Sequence, residues 1–228
     1  MVDERIEGGL ARIFLNRPQK ANALDSALID HLKAALDRVH AAPEVRVVLL
    51  GGHGRAFCGG ADVHELSGLT AANAGHFVER IHAVCAAIRR LPVPVVARLH
   101  GAVIGAGLEI AAACDLRIAA PGTRFAMPEV RLGIPSVVEA ALLPRLMGSG
   151  RAAWLVLTGE AIDAARAHEW GLVEAVGGDD AVESLVRTLL KNERRALSLQ
   201  KELLQLWEEA PLSTSIQKSI ALFAQSKA

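Results

Sequence analysis

The chain has 228 residues, and its 25 Lys and Arg balance 25 Asp and Glu to a formal net charge of zero. That length fits one domain with a substantial core, and the charge balance signals no nucleic-acid or acidic-membrane partner. The opening MVDERIEGG is acidic where a secretory signal needs a basic and then apolar run, and the most apolar window, Val93 to Cys114, is interrupted by Arg98, His100 and Glu109, against a membrane span.

In chain order, Val2 to Glu7 and Leu10 to Leu15 flank Gly8 and Gly9 and predict a hairpin. Asp25 is placed to cap a helix whose Leu28, Ile29, Leu32, Leu36 and Val39 recur at helical spacing. After Pro43, Arg46 to Leu50 reads as a buried strand, followed by the glycine-rich turn Arg55 to Asp62 (RAFCGGAD) and a further helix. Ala74 to Arg90 is amphipathic, with Phe77, Ile81, Val84, Cys85 and Ile88 inward. Pro92 and Pro94 end it, and Val95 to Leu99 supplies the next strand. A short Ala-rich helix starts near Ala106, and Leu116 to Ala119 returns to extended chain. Beyond Pro135 the pattern is almost wholly helical: Val137 to Met147, Arg151 to Leu157 and Ile162 to Trp170, then more helix after a short strand at Leu172 to Val176. Strands alternating with helices, and a helical final third, make this an α/β chain. Cys58, Cys85 and Cys114 are odd in number and lack metal-ligand spacing, so they read as reduced, buried thiols of a cytoplasm-like compartment, with no metal site.

Two glutamates twenty positions apart carry the chemistry. Glu109 closes GAVIGAGLE (Gly101 to Glu109) on an otherwise apolar helix with no basic residue three or four positions away. An unpaired carboxylate in apolar surroundings is costly, which favours a functional role over the alternative, a structural ion pair with a residue from elsewhere in the chain. Glu129 lies in FAMPEVRLGIP (Phe125 to Pro135). Alone it reads as a solvated loop charge; beside Glu109 it becomes a second candidate. Glycine-rich turns offer backbone N–H groups, and a helix beginning near Ala106 offers more. Fixed donors with two carboxylates are the parts of a site that stabilises an oxyanion and moves a proton.

The run HGAVIGAG (His100 to Gly107) also approaches the glycine spacing of a dinucleotide-binding turn. It follows the third or fourth strand rather than the first, and no acidic residue ends a following strand at the ribose distance. The short-chain dehydrogenases with similar spacing use a catalytic tyrosine, and this chain has none. The acid/base reading is preferred.

Five segments then appear in order: LNRPQKANAL (Leu15 to Leu24), AFCGGADV (Ala56 to Val63), HGAVIGAGLEIAAACD (His100 to Asp115), PEVRLGIP (Pro128 to Pro135) and LTGEAIDAARAHEWGLV (Leu157 to Val173). Together they resemble the successive signatures of the crotonase (enoyl-CoA hydratase/isomerase) superfamily over nearly the whole chain. The resemblance implies a spiral of repeated ββα units over residues 1–190 and a helical oligomerisation segment over residues 191–228. It implies an acyl-CoA thioester as ligand, with no separate cofactor because coenzyme A belongs to the substrate. By position, the N–H groups of Ala61 and Ala106 form the oxyanion hole, and Glu109 and Glu129 match the hydratase acid/base pair. The implied coenzyme A contacts are Lys20, Ala21, Ala23, Ala61, Asp62, Val63 and Ala106. Retention of both glutamates favours hydration of a trans-2-enoyl-CoA; an isomerase or other acyl-CoA-transforming member, and a catalytically silent acyl-CoA-binding relative, are the alternatives. The implied assembly is a homotrimer or homohexamer.

The remaining candidates divide. Asp25 and Asp62 read as helix caps rather than catalytic acids, and His53 and His64 as loop or surface residues. Lys20 and Arg17 are candidate phosphate partners, with solvated charge the equal alternative. Ala21 and Ala23 are small enough to let coenzyme A lie close to the backbone. Two departures from the family pattern stand out. SVVEA (Ser136 to Ala140) replaces a glycine-rich turn beside the acyl pocket, and its Glu139 reads as a first-turn helix acid or a group aimed at substrate, the former preferred. The tail stops at Ala228 soon after IALFAQS, which favours the trimer over the doubled trimer.

Overall fold

The computed structural model describes residues 1–225. Its first elements are the expected hairpin, β1 (Val2–Glu7) and β2 (Leu10–Leu15), followed by α1 (Ser26–His40) and β3 (Val47–Gly52). Asp25 caps α1 through a 2.8 Å bond from the Leu28 N–H, and the predicted apolar stripe of α1 is buried. Next come α2 (Val63–Ser67), α3 (Ala74–Arg90), β4 (Val95–Leu99), β5 (Ala102–Ile104), α4 (Ala106–Ala113), β6 (Leu116–Ala119) and β7 (Arg124–Ala126). Two 3-10 turns, Glu129–Leu132 and Val138–Leu142, precede α5 (Leu143–Met147) and α6 (Ser149–Thr158). The chain continues through β8 (Ile162–Asp163), α7 (Ala164–Trp170), β9 (Ala175–Val176), α8 (Asp179–Leu190), α9 (Arg194–Glu209) and α10 (Leu212–Gln225).

Six strands form the larger sheet in the order β1-β2-β3-β4-β6-β9, parallel except for the opening hairpin. A smaller sheet, β5-β7-β8, lies beside it. The unit repeats: β4 in the large sheet, β5 in the small one, then α4; β6, β7, then a 3-10 turn. The segment after β3 follows the same path, because Cys58 makes a parallel bridge to Val103 of β5 before α2 and α3. These are the expected ββα units. The short strands β5, β7 and β8 have too few residues to show period-2 alternation, and the sequence pattern does not resolve them. β3 also runs two residues past its expected end, to Gly52, because β2 supplies partners as far as Leu15.

Sheet and helices enclose one main core in which Phe57, Phe125, Leu50, Ile88 and Leu99 are essentially fully buried. Helix α9 is tied to it by Lys201, whose buried Nζ donates to Asp115 Oδ2 at 2.8 Å and to the carbonyls of Ile88 and Val93. A buried ammonium is tolerable only with such partners. Beyond that anchor, Leu204, Trp207, Leu212, Ile216, Ile220 and Phe223 remain exposed. Among the described residues, no helix is long and apolar enough to cross a membrane.

Candidate active site

The site begins with two loops laced together. Pro18–Lys20 forms a 3-10 turn, after which Ala21 and Asn22 both adopt left-handed backbone, φ 51° and 55°. That conformation points the fully buried Asn22 side chain at the neighbouring loop. Its Nδ2 donates to the carbonyls of His53 (2.9 Å), Ala56 (2.8 Å) and Phe57 (3.2 Å), and its Oδ1 accepts from the Arg17 N–H at 2.8 Å. Backbone bonds Gly59 N–H to Ala21 O, Leu24 N–H to Gly60 O and Asp62 N–H to Leu24 O complete the lacing. Asn22 is a functional support that sequence reasoning missed. Its signal was an asparagine between small residues in a loop, the type that most readily takes a left-handed φ after glycine.

This lacing leaves the Ala61 N–H pointing away from Leu24, unused. On the facing segment, Cys58 N–H bonds Ala102 O and Ile104 N–H bonds Cys58 O, fixing the parallel register Cys58 to Val103. Ala61 stands three residues beyond Cys58 and Ala106 three beyond Val103, so each alanine follows one side of that bridge. Gly105 makes the turn into α4 with φ 51° and ψ −123°, and Ala106 is the first helical residue. First-turn N–H groups have no intrahelical acceptor. Among the described residues neither N–H is taken by another carbonyl. Two free donors, one with a helix dipole behind it, suit a developing oxyanion.

Glu109 enters from α4 one turn later, buried at 5 % exposure, with no cationic partner among the described residues. Burial pushes its pKa from 4.5 to about 8, and the nearby carboxyls of Glu129 and, less strongly, Glu139 add to the shift. Glu129 opens the 3-10 turn Glu129–Leu132 and is half-buried rather than a solvated loop charge. Its Oε2 accepts from Ser136 Oγ at 2.9 Å, and its Oε1 lies directly over Gly105, where a Cβ would overlap it. The two carboxyls and the second oxyanion donor therefore share one corner of the molecule.

The other candidates are placed as follows. Asp62 is buried and caps α2 through the His64 N–H at 2.9 Å, as expected. Arg17 bonds its carboxylate at 2.6 Å and holds it below the usual carboxylate range. Arg17 also reaches Asp25 (3.2 Å) and Ala23 O (2.9 Å), so its charge is engaged inside the fold and it is withdrawn as a phosphate partner. Lys20 is exposed beside Ala21 and Ala23, and Val63 is 73 % exposed at the start of α2. His53 pairs with Asp3 at 2.8 Å and contacts the Phe14 ring, and His64 is exposed, both outside the acid corner. Glu139 does occupy the first turn of its 3-10 helix, but it is buried at 6 % exposure and bonded to His82. All three cysteines are buried, with Cys58 and Cys114 each pushed up to about 12 by burial. A cleft of about 680 Å³ lined by Arg12, Phe14, His53, Arg98 and Asp179 contains neither glutamate.

The raised Glu109 has a measurable consequence. The unfolded chain ionises it near 4.5 and the folded chain near 8, so the native state holds a proton that the unfolded state has lost in between. The contribution of Glu109 to stability is therefore greatest below about 4.5 and declines as pH rises to about 8. Glu109→Gln removes the decline: the variant should melt several degrees above the wild type at pH 8 and with little difference at pH 4. Equal melting temperatures at both values would show that Glu109 is not held neutral by the fold.

The enoyl-CoA hydratase/isomerase family matches residues 5–227. Bacillus subtilis (strain 168) YngF, named as an enoyl-CoA hydratase/isomerase, is 40 % identical over 169 residues, 73 % of this chain and 65 % of its own length. This chain thus spans about two thirds of that relative. The 1,2-epoxyphenylacetyl-CoA isomerase of Escherichia coli (strain K12) is 33 % identical over 220 residues, 92 % of this chain and 84 % of that one. The crystal structure of an enoyl-CoA hydratase from Mycobacterium smegmatis superposes with a TM-score of 0.95 at 31 % identity, covering 99 % of this chain and 90 % of that one. The two sheets with their repeated ββα units are the crotonase fold. The chain belongs to the enoyl-CoA hydratase/isomerase family.

Proposed function

We propose that the protein hydrates a trans-2-enoyl-CoA to the 3-hydroxyacyl-CoA. Family membership brings acyl-CoA chemistry, and relatives include both hydratases and an isomerase. The observation that carries the choice of hydration is the acid pair: Glu109 and Glu129 sit together at the start of α4, and Glu109 is held in its neutral form at pH 7.

The chemistry follows from the parts. The thioester oxygen accepts the Ala61 and Ala106 N–H groups, which become stronger partners as negative charge builds on it. Water attacking Cβ must lose a proton, and Cα must gain one. A pair of carboxyls holding one proton does both: the ionised member accepts from water and the protonated member delivers to Cα. Lys20, exposed at the loop edge, meets the coenzyme A phosphates; Ala21 and Ala23 let the ligand approach the backbone, with Asp62 and Val63 at the second loop. The same pair moving a proton from one carbon to another would make an isomerase, and the E. coli relative named as an isomerase keeps that reading open. A silent acyl-CoA-binding protein is the third outcome.

A panel of enoyl-CoA thioesters decides among them. Hydration removes the conjugated-thioester absorbance and adds the mass of one water. Isomerisation of a 3-enoyl-CoA with no gain of water by any 2-enoyl-CoA would replace the proposal with the isomerase. Binding without any conversion would leave the silent relative.

The assembly proposal rests on the exposed apolar side chains of α9 and α10, within the segment 191–228 of which residues 226–228 lie outside the described part. Contiguous apolar surface of this kind marks a subunit contact. Light scattering is expected to give three times the chain mass, with six times as the doubled form. A monomer at micromolar concentration would overturn the assignment of this segment to oligomerisation.

A further inference from the structure

The two faces of the large sheet are covered unequally. Along β2, Ala11, Ile13 and Leu15 enter the main core, while Leu10 and Phe14 belong to a second apolar cluster with Val47, Leu49 and Val96 on the other face. Alternation along the strand puts Arg12 on that second face as well. Helix α8 packs over β3 and β4 there, burying Val182 and Val186. Beside the helix, over β2, lies the cleft of about 680 Å³. A volume of this size holds a small organic ligand, and such sites are apolar with a few placed polar groups.

Its lining has that character. The apolar part is Leu10, Leu49, Val182, Val186 and Leu190. Phe14 adds an aromatic wall: a Cβ on Gly51 would come within 2.7 Å of its ring, and the His53 ring stands 5.3 Å away. The charged side chains are Arg12, Arg98 and Arg187 against Asp179 and Glu183. Arg98 bonds Asp179 at 2.5 Å, and Arg187 lies 3.5 Å from Glu183. Burial lowers the His100 pKa, which leaves that ring uncharged near neutral pH. Arg12 is left over. It is half-buried, and among the described residues no acid, carbonyl or ring takes its guanidinium. Directly across on β1 stands a like charge, Arg5, which bonds Glu7 at 2.9 Å. Like charges facing each other across two strands are destabilising, and a half-buried charge without a partner adds to that cost. A bound anion would relieve both.

We propose that this cleft is a second ligand site, separate from the acid corner, which takes a small organic monoanion with its carboxylate on Arg12 and its apolar body along Leu49, Val182 and Val186. Arg12 and Leu49 are register partners on β2 and β3, so headgroup and body meet neighbouring positions of one sheet face. Three lining arginines against two acids leave one positive charge, which suits a single carboxylate better than a dianionic phosphate. A guanidinium fork matches a carboxylate, and the apolar floor adds burial of the body. None of these side chains belongs to the acid pair or to the loops assigned to coenzyme A, so the inference is independent of the reaction proposed above.

Calorimetric titration of the whole chain with octanoate, with and without saturating acetyl-CoA, tests the site. Octanoate is expected to bind whether or not acetyl-CoA is present. Octan-1-ol, the same body without the charge, should bind about tenfold more weakly or worse, the loss expected for one charge-assisted hydrogen bond. R12Q should weaken octanoate by a similar factor, and R12K, which keeps the charge, should stay within a few-fold of the wild type. Failure of octanoate to bind overturns the proposal, as does octan-1-ol bound equally well or a folded R12Q that binds octanoate like the wild type. Displacement by acetyl-CoA would place octanoate in the acyl-CoA site and also overturn it. Should R12Q fail to fold, hydrogen exchange of the wild type is read instead: octanoate should slow exchange of the α8 amides, and unchanged exchange there overturns the assignment. No turnover enters these measurements, so a chain that hydrates nothing leaves the inference standing, and a hydratase that binds no octanoate removes it alone.

Discussion

Glu109→Gln and Glu129→Gln are each expected to lower turnover of a trans-2-enoyl-CoA by about 10²–10⁴-fold, the usual contribution of a positioned acid or base, with little change in coenzyme A affinity. Glutamine keeps the volume and one acceptor oxygen, so the Ser136 bond to position 129 survives. What is lost is the exchangeable proton. Neither carboxyl touches the loops at Lys20 to Ala23 that are assigned to coenzyme A, so binding and chemistry separate. The double variant should lose less than the product of the two single losses, because residues that act as a unit are not additive. Near-normal turnover in either single variant would remove that residue from the mechanism. Equal loss of activity and of coenzyme A affinity would point to collapse of the site rather than to acid/base chemistry.

Glu109 was legible as a candidate because its cost was visible in sequence, and Glu129 only through it. Glu109 sits in GLEIAAAC with no cation near it on the helix, and no burial pattern accounts for such a residue without a function. The long amphipathic helices α1 and α3 were legible for the same kind of reason, since many residues contribute to one period. The small sheet was not. Strands of two or three residues carry no period, and β5, β7 and β8 exist only because Cys58, Ala102 and Arg124 find backbone partners far away in the chain. Asn22 stayed hidden because its role depends on three carbonyls from residues 53 to 57, which local sequence does not bring to it. Arg17 was misassigned for the converse reason: as a loop arginine it looked free, and Asp62, 45 positions away, takes its charge. Glu139 does stand in the first turn of its 3-10 helix, but its burial follows a bend at Val138, φ 40°, that local sequence does not signal.

Gly105→Ala should be as damaging as losing an oxyanion donor, about 10²–10³-fold in turnover, although it adds one methyl and touches no charge. Two effects converge on it. Gly105 has φ 51° and ψ −123°, a conformation that an L side chain resists, and any relaxation rotates the peptide that carries the Ala106 N–H. The added Cβ would also occupy the position of Glu129 Oε1, and the flexible carboxylate would swing away rather than the backbone. One substitution therefore disturbs a donor of the oxyanion hole and a member of the acid pair together. Strain alone would lower stability by roughly 1–3 kcal/mol, so a control must separate strain from site damage. Gly122→Ala provides it: Gly122 has φ 84° in the turn between β6 and β7, and a Cβ there meets nothing within 4 Å. Both variants should melt below the wild type by similar amounts, while only Gly105→Ala loses turnover. If the two retain the same activity, neither the Ala106 N–H nor the position of Glu129 limits the reaction, and the oxyanion assignment at the start of α4 fails.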